Sequence, residues 1–207
     1  DSRLAAYYAS SLEGAVGTVG VSLAALLVSV LLGLLGAGAK LSGNRPLVAL
    51  ATGYTTIIRG IPELVLMLLV FYGGSIGINH LLELSGTGAT LDIDPFTAGV
   101  LTLGFIYGAY MTETFRGAIL AIPRGQFEAA AAFGMGPVQI FLRITAPQMV
   151  RHAVPGFTNN WLVLIKATAL VSLIGLQEMT YLAKQASAAT RSPFAFFLFT
   201  ATLFLIY

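Results

Sequence analysis

The sequence predicts an all-α protein that crosses a membrane several times. Of its 207 residues, 57% are hydrophobic and only 10% are charged, whereas about a quarter of the residues of a soluble domain are charged. The mean hydropathy is +0.84. The apolar residues are also gathered in long runs, and runs of about 20 such residues are typical of membrane-spanning helices.

The composition excludes several classes of function. The chain has no cysteine, which excludes disulfides, thiol catalysis and cysteine-based metal sites. Its two histidines, His80 and His152, lie far apart in the sequence and form no cluster of metal ligands. The net charge is +2 and the basic residues are scattered, so nucleic-acid binding is not expected.

Five hydrophobic segments divide the chain, at about 14–39, 47–79, 95–117, 153–176 and from Pro193 onward. The second segment is too long for one plain span and is interrupted by "RGIPE" at 59–63. The fifth has fewer than the ~20 residues that a spanning helix needs, so we expect it to be truncated. With no internal repeat and no low-complexity linker, residues 1–207 are predicted to form one membrane domain.

The charged residues between these segments predict the topology. The connection after the second segment carries Glu83, Asp92 and Asp94 and no basic residue. Basic residues follow the first and third segments: Lys40, Arg45, Arg116, Arg124, Arg143 and Arg151. Because basic connections stay in the cytoplasm, the N-terminus is predicted to lie outside. Lys184 and Arg191 go against this assignment.

Two charged residues, Arg59 and Glu63, bracket a Gly60–Pro62 break in the second segment. Proline is favoured in the first turn of a helix, so a helix is expected to restart at Pro62, with Glu63 complementing its positive end. Broken helices at membrane depth are typical of transport pathways. Alternatively, a helix begins at the membrane interface here, and Arg59 extends its side chain to the lipid headgroups.

The third segment carries a carboxylate close to an aromatic ring. Tyr110 and Glu113 lie about 60° apart on a helix, which would suit an ammonium group through charge and cation–π attraction. The alternative is a structural pair between Glu113 and Arg116 at i,i+3. Gly104 and Gly108 have the spacing of close helix packing.

The fourth segment, "NNWLVLIKATALVSLIG", places Asn160, Lys166 and Ser172 on an otherwise apolar helix. Such side chains either bond to neighbouring helices or line a route through the membrane. No catalytic set and no Walker loop is found, because the chain's three lysines are followed by Leu, Ala and Gln rather than by Ser or Thr. If transport is driven by ATP, another chain must bind the nucleotide.

The longest predicted cytoplasmic connection contains "PRGQFEAAAAFG", which reads as a helix of about two turns ended by Gly134. Pro137 then opens a second short helix, "PVQIFLRI", which is expected to end before Pro147. Alanine side chains are small and protrude little from the helix, and they lose little conformational entropy on binding. The groove of another protein can therefore approach the helix closely. The connection is therefore predicted to be a docking elbow.

The stretch "EAAAAFGMGPVQIFLRITAP" resembles the EAA loop of bacterial ABC importer permeases, with Ala146 where leucine is usual. The matching positions are Glu128, Ala129, Ala130, Gly134, Ile144 and Pro147. Three further stretches resemble the polar amino acid subfamily: "IRGIPELVLMLLVFYG", "GAYMTETFRGAI" and "NNWLVLIKATALVSLIGL". In the last of these, Ala167 and Ala169 stand where Asp and Ser are common.

The resemblance implies a type I ABC importer permease fold with five transmembrane helices and a cytoplasmic coupling loop at about 123–150. It places the chain in a bacterial inner membrane with a periplasmic N-terminus, beside an identical or homologous permease subunit. Two ATPase subunits would dock on the coupling loops and bind the ATP and Mg, so this chain would be no enzyme and hold no cofactor. A periplasmic binding protein would deliver the amino acid.

The resemblance also bears on the cargo. Many such permeases have an apolar residue at the position of Glu63, so a carboxylate there indicates basic amino acids: arginine, lysine, histidine or ornithine. The predicted pathway residues are Arg59, Glu63, Tyr110, Glu113, Asn160, Lys166 and Ser172. Glu113 either meets the α-amino group or holds structure. The alternatives are the same machine for glutamine or another polar amino acid, or an ion-coupled carrier or channel with Glu63, Glu113 and Lys166 as a relay.

Overall fold

The structure, a computed structural model, describes residues 2–86, 88, 90–91, 93–174 and 179–206. Every regular element in these ranges is helical, which confirms the all-α prediction. The helices form two compact units. One consists of the described parts of Asp1–Val28, Pro62–Ile106 and Val163–Tyr207, and the other of Ser29–Ile61 and Tyr107–Leu162.

Helix α1 spans Ser2–Leu41 and is longer at both ends than the predicted segment 14–39. At 1.5 Å per residue it is about 60 Å long, and Ala5–Leu41 is apolar enough to cross a membrane. Its first three turns contain no glycine or proline to stop the helix. Lys40 lies in its last turn, where a cation complements the exposed carbonyl groups.

Helix α2, Arg45–Gly60, is followed by an extended residue, Ile61, with φ −110° and ψ 141°. The residue before a proline is disfavoured in the helical region, so Pro62 separates α2 from α3. The predicted interruption at 59–63 is confirmed, and α3 restarts at Glu63, one residue later than expected.

Helix α3 (Glu63–Leu68), a π turn (Leu69–Gly73) and α4 (Gly74–Leu84) follow one another without a break. This continuous stretch is long and apolar enough to cross a membrane. The predicted bounds of the second segment, 47–79, are therefore wrong. They join α2 to part of a stretch that runs from Glu63 to Leu84.

Helix α5 spans Pro95–Leu120 and matches the predicted third segment within a turn. Asp94 caps its start, because the Thr97 backbone N–H donates a hydrogen bond of 3.0 Å to the Asp94 carboxylate. Hydrogen bonds from the Thr97 hydroxyl and then from its backbone N–H hold the pKa of Asp94 below its ordinary value.

Two glycines of α5 allow α1 to approach closely. A Cβ at Gly104 would lie 2.4 Å from Val28 Cγ1, and a Cβ at Gly108 would lie 2.8 Å from Leu32 Cβ. Neither distance can accommodate another carbon atom. The close packing predicted from the spacing of these glycines is confirmed.

Helix α6 spans Arg124–Ala132. After a bend come α7 (Pro137–Ile140), a second π turn (Phe141–Thr145) and α8 (Ala146–Ala167), which are continuous. The prediction that the second short helix ends before Pro147 is wrong. In the π turn the Ala146 N–H bonds to the Phe141 carbonyl, and this wider spacing lets the helix accommodate Pro147, which has no N–H to donate.

The remainder of the described chain is a 3₁₀ segment, Thr168–Ile174, followed by α9 (Met179–Thr190) and α10 (Pro193–Ile206). Helix α9, which packs against α10, lies between two predicted segments and was not expected. Arg191, with φ +55°, reverses the chain between them. The predicted start of the fifth segment at Pro193 is confirmed.

Candidate functional sites

A cluster of charged side chains gathers around Glu113 of α5. The Lys40 ammonium, from α1, donates hydrogen bonds to Glu113 Oε1 and, at 2.7 Å, to Thr55 Oγ1 of α2. The Arg116 guanidinium lies 3.5 Å from the other carboxylate oxygen, Glu113 Oε2. The side chains of Lys40, Glu113 and Arg116 are 11%, 24% and 39% exposed. The carboxylate is therefore paired with two cations in a mostly dry setting.

Local geometry explains why these groups meet. Glu113 and Arg116 are three residues apart on α5 and so share a helix face. Because α1 runs to Leu41, Lys40 is a helical residue rather than part of a polar loop. The buried Thr55 hydroxyl donates to the Thr52 carbonyl of its own helix at 3.2 Å and accepts from Lys40. One ammonium thus joins α1, α2 and α5.

An arginine–tyrosine contact flanks this cluster. The guanidinium carbon of Arg59 lies 5.7 Å from the centroid of the Tyr110 ring, within cation–π range. Tyr107 packs beside Tyr110 with ring centroids 5.6 Å apart. Arg59 also attracts Glu113 electrostatically, as Lys40 and Arg116 do. Three cations therefore surround one carboxylate, and the structure brings together the predicted residues Arg59, Tyr110 and Glu113.

Asn160 of α8 is buried against the same helix, α5. Its amide Nδ2 donates to Thr114 Oγ1 at 2.9 Å and lies 3.7 Å from the Met111 sulfur. Gly156, one turn earlier, lets the two helices approach, since a Cβ there would lie 2.9 Å from Thr114 Cγ2. These contacts favour the packing alternative for Asn160.

The other predicted pathway residues belong to the unit that contains Pro62–Ile106 and Val163–Tyr207. Glu63, half-buried, lies in the first turn of α3. Lys166 lies exposed in the last turn of α8. The 3₁₀ segment that follows packs against α3. Ser172 belongs to that segment, and its side chain lies outside the described residues.

Sequence reasoning missed Lys40 and Thr55 as members of the charged cluster. Lys40 was interpreted as a topology marker in a polar loop. A usable signal was present, because charged residues within apolar helices usually pair with one another. Thr55 offered no comparable signal.

The segment between α5 and α8 forms a second candidate site. Helix α6 ends in a Schellman motif: the Met135 N–H donates to the Ala130 carbonyl at 3.1 Å, and the Gly134 N–H to the Ala131 carbonyl at 2.9 Å. Gly134 has φ +78°, which favours glycine. The predicted helix stop at Gly134 is confirmed.

The six predicted coupling residues divide into two groups. Ala130 is buried and Ile144 is half-buried, whereas Glu128, Ala129, Gly134 and Pro147 are exposed. The Gln148 amide, on α8, donates to the Gln126 side chain and so links α8 to α6. Phe133 and Val138, not singled out from the sequence, are 87% and 71% exposed. The bend thus presents small and apolar side chains on its surface.

Comparison with known proteins assigns the family. The family described as "binding-protein-dependent transport system inner membrane component" matches residues 29–207. The chain belongs to it. It is 50% identical over 196 residues to the histidine/lysine/arginine/ornithine transport system permease protein HisQ of Escherichia coli (strain K12), covering 95% of this chain and 86% of that protein.

Further relatives agree with this assignment. The octopine transport system permease protein OccQ of Rhizobium radiobacter is 41% identical over 189 residues, covering 91% of this chain and 80% of that protein. The arginine ABC transporter permease protein ArtQ of Escherichia coli (strain K12) is 36% identical over 205 residues, covering 91% and 84%.

A crystal structure of an amino acid ABC transporter with histidines superposes with a TM-score of 0.81 at 30% identity, over 98% of this chain and 89% of that one. The predicted permease fold is thereby confirmed. The chain is a membrane-embedded permease subunit of an ABC importer, and it is not an enzyme, because a separate subunit hydrolyses ATP. An ATPase and a binding protein are its partners. The comparisons do not support the ion-coupled carrier.

Proposed function

We propose that this chain forms the membrane pathway of an ABC importer for basic amino acids, delivered by a periplasmic binding protein. The observation that carries the proposal is the similarity to permeases named for histidine, lysine, arginine and ornithine, and for arginine. Uptake of glutamine or another polar amino acid is the alternative, since permeases of one fold can carry different cargo.

Residues 1–207 are proposed to form one membrane domain with a periplasmic N-terminus. The basic connections after α1 and α5 then lie in the bacterial cytoplasm, in agreement with the positive-inside rule. The partner permease is a second copy or a homologue. Two ATPase subunits bind the ATP and Mg, and this chain binds no cofactor.

Residues 123–150 are proposed as the coupling loop. Glu128 and Ala129 contact the ATPase groove from the exposed side of α6, while Ala130 packs inward and Gly134 sets the bend. Ile144 and Pro147 stiffen the start of α8. The exposed surface of small and apolar side chains supports this role, because it permits close approach by another protein. ATP-driven closure of the ATPases would then move α6 and α8 together through their glutamine pair.

Glu63 is proposed to select a cationic cargo. Its carboxylate lies where α3 restarts after the break, and irregular backbone at membrane depth is tolerated where it lines a cavity. Arg59, Tyr110, Glu113, Lys166 and Ser172 are the other proposed pathway residues. Asn160, bonded to Thr114, holds α8 against α5.

The test is uptake into proteoliposomes that contain the permease and its ATPase. ATP is enclosed inside the vesicles, and the loaded binding protein is added outside. Arginine, lysine, histidine and glutamine are tested one at a time. Accumulation of the basic amino acids over glutamine supports the proposal, and preference for glutamine contradicts the assigned cargo. A Glu63→Gln variant should lose the preference, with Glu83→Gln, an exposed glutamate on α4, as its matched control.

A further inference from the structure

The Glu113 carboxylate, which the sequence predicts as a partner for an ammonium group, is already paired from within the chain. The Lys40 ammonium bonds to the Glu113 carboxylate and is held by the Thr55 hydroxyl. A primary ammonium is also the α-cationic group of lysine, arginine, histidine and ornithine. Lys40 therefore makes the contact that a bound amino acid would make.

We propose that Lys40 is a tethered competitor of the cargo, which it excludes from Glu113 until the cargo's own cationic group displaces it. This inference rests on the proposed function, since it assumes that amino acids pass through this chain. The ligand class is a primary ammonium or a guanidinium, and the site consists of the Glu113 carboxylate and the Thr55 hydroxyl.

Two features make displacement physically reasonable. The Glu113 side chain keeps 24% of its surface exposed, so a ligand can reach it. Lys40 is the penultimate residue of α1, and its long flexible side chain can withdraw while the helix stays in place. Separation without a replacement is costly, because a largely buried carboxylate loses one of its two direct ion-pair partners and keeps only Arg116. A cationic cargo supplies that replacement.

Displacement would also release a mechanical link. While Lys40 bonds to both Thr55 and Glu113, it ties α1 and α2 to α5. A cargo cation that takes its place on the carboxylate has no covalent link to α1. Occupancy by cargo thus frees α1 from α5 at this point, and an intact Lys40–Glu113 pair marks the empty site.

A purely structural ion pair predicts the opposite outcome on mutation. Removing a structural partner weakens cargo binding or leaves it unchanged. Removing a competitor strengthens binding, because the apparent affinity is lowered by the fraction of time that the site is occupied from within. The direction of the change in cargo affinity therefore distinguishes a structural ion pair from a tethered competitor.

The experiment measures the binding of radiolabelled arginine to the purified permease–ATPase complex without binding protein. Lys40→Met, which keeps a flexible unbranched side chain and removes the charge, should lower the Kd for arginine about fivefold or more. Lys40→Arg, which keeps a tethered cation, should stay near the wild-type Kd. Lys184→Met, at an exposed lysine of α9, is the matched control and should not change it.

A second variant covers the case in which Lys40→Met does not assemble. Lys40→Ala leaves a space of the shape of n-propylammonium, so this ion should raise the thermal unfolding midpoint of that variant, and n-propanol should not. Adding Glu113→Gln should abolish the effect. The inference about Lys40 is overturned if the assembled Lys40→Met variant has an unchanged or raised Kd for arginine, or if the alkylammonium ion does not stabilise Lys40→Ala. Neither result would affect the proposed function. Absence of arginine uptake by the wild-type complex would instead overturn the proposed function.

Discussion

The ammonium of Lys40 and the carboxylate of Glu113 form an ion pair that joins the last turn of α1 to the interior of α5. Breaking a fully buried pair costs about 3–5 kcal/mol, and residual solvent contact reduces that figure. We expect Glu113→Gln to lower the stability of the complex by about 1–3 kcal/mol, because Lys40 loses its counter-charge. Thermal unfolding in detergent measures this change in stability.

The control is Glu83→Gln, at a surface pair with His80, which should change stability by less than about 0.5 kcal/mol. Equal effects of the two variants would contradict the stabilising role of the Lys40–Glu113 pair.

The contact between Gly104 and Val28 predicts a second outcome. A Cβ at Gly104 would lie 2.6 Å from Val28 Cβ, an atom that no rotamer change can move away. Gly104→Ala should therefore destabilise the protein by about 1–3 kcal/mol. Gly117→Ala on the same helix, where nothing lies within 4 Å, should be neutral or slightly stabilising, since alanine favours helix. Thermal unfolding of both variants measures these changes in stability. A Gly104→Ala variant as stable as the wild type would show that α1 and α5 pack less closely than the structure shows.

The positive φ of Gly134 predicts that the end of α6 tolerates no side chain. Gly134→Ala should destabilise the bend by about 1 kcal/mol or more, because left-handed backbone is strained for other residues. Gly125→Ala, inside α6 with open space around it, is the control for stability. Hydrogen exchange of the Met135 and Gly134 amides reports the change directly. If both amides keep wild-type protection in Gly134→Ala, the Schellman motif does not depend on glycine.

The exposed ring of Phe133 predicts an anchor for the ATPase. Truncating a hot-spot side chain of an interface costs about 2 kcal/mol or more, so as such an anchor Phe133, changed to Ala, should weaken association of the ATPase by about tenfold or more. Phe194→Ala, an exposed phenylalanine at the start of α10, is the matched control. Co-purification and a titration of ATPase into permease micelles measure the effect. Equal affinities would exclude Phe133 from the interface.

The elements predicted correctly from sequence are those specified by local chemistry. The break at 59–63 follows from Pro62, which displaces the residue before it from the helical region. The stop at Gly134 follows from the need for a left-handed residue. Both signals act within a few residues and need no tertiary contact.

The elements predicted wrongly depend on longer-range effects. Pro147 was expected to end a helix, but the π turn before it accommodates the missing N–H. Lys40 was assigned to a loop, although α1 continues past it and brings its ammonium to Glu113, which is distant in sequence. The pattern of apolar residues along one helix does not predict which other helix will pack against it.

The most direct test of the central proposal is uptake of arginine by proteoliposomes that contain this permease. We expect accumulation only when the ATPase, internal ATP and an external loaded binding protein are all present, with arginine preferred over glutamine. Loss of that preference in Glu63→Gln, but not in Glu83→Gln, would support the role assigned to the helix break. Uptake of glutamine in preference to arginine, or uptake of arginine driven by an ion gradient without the ATPase, would contradict the proposed function.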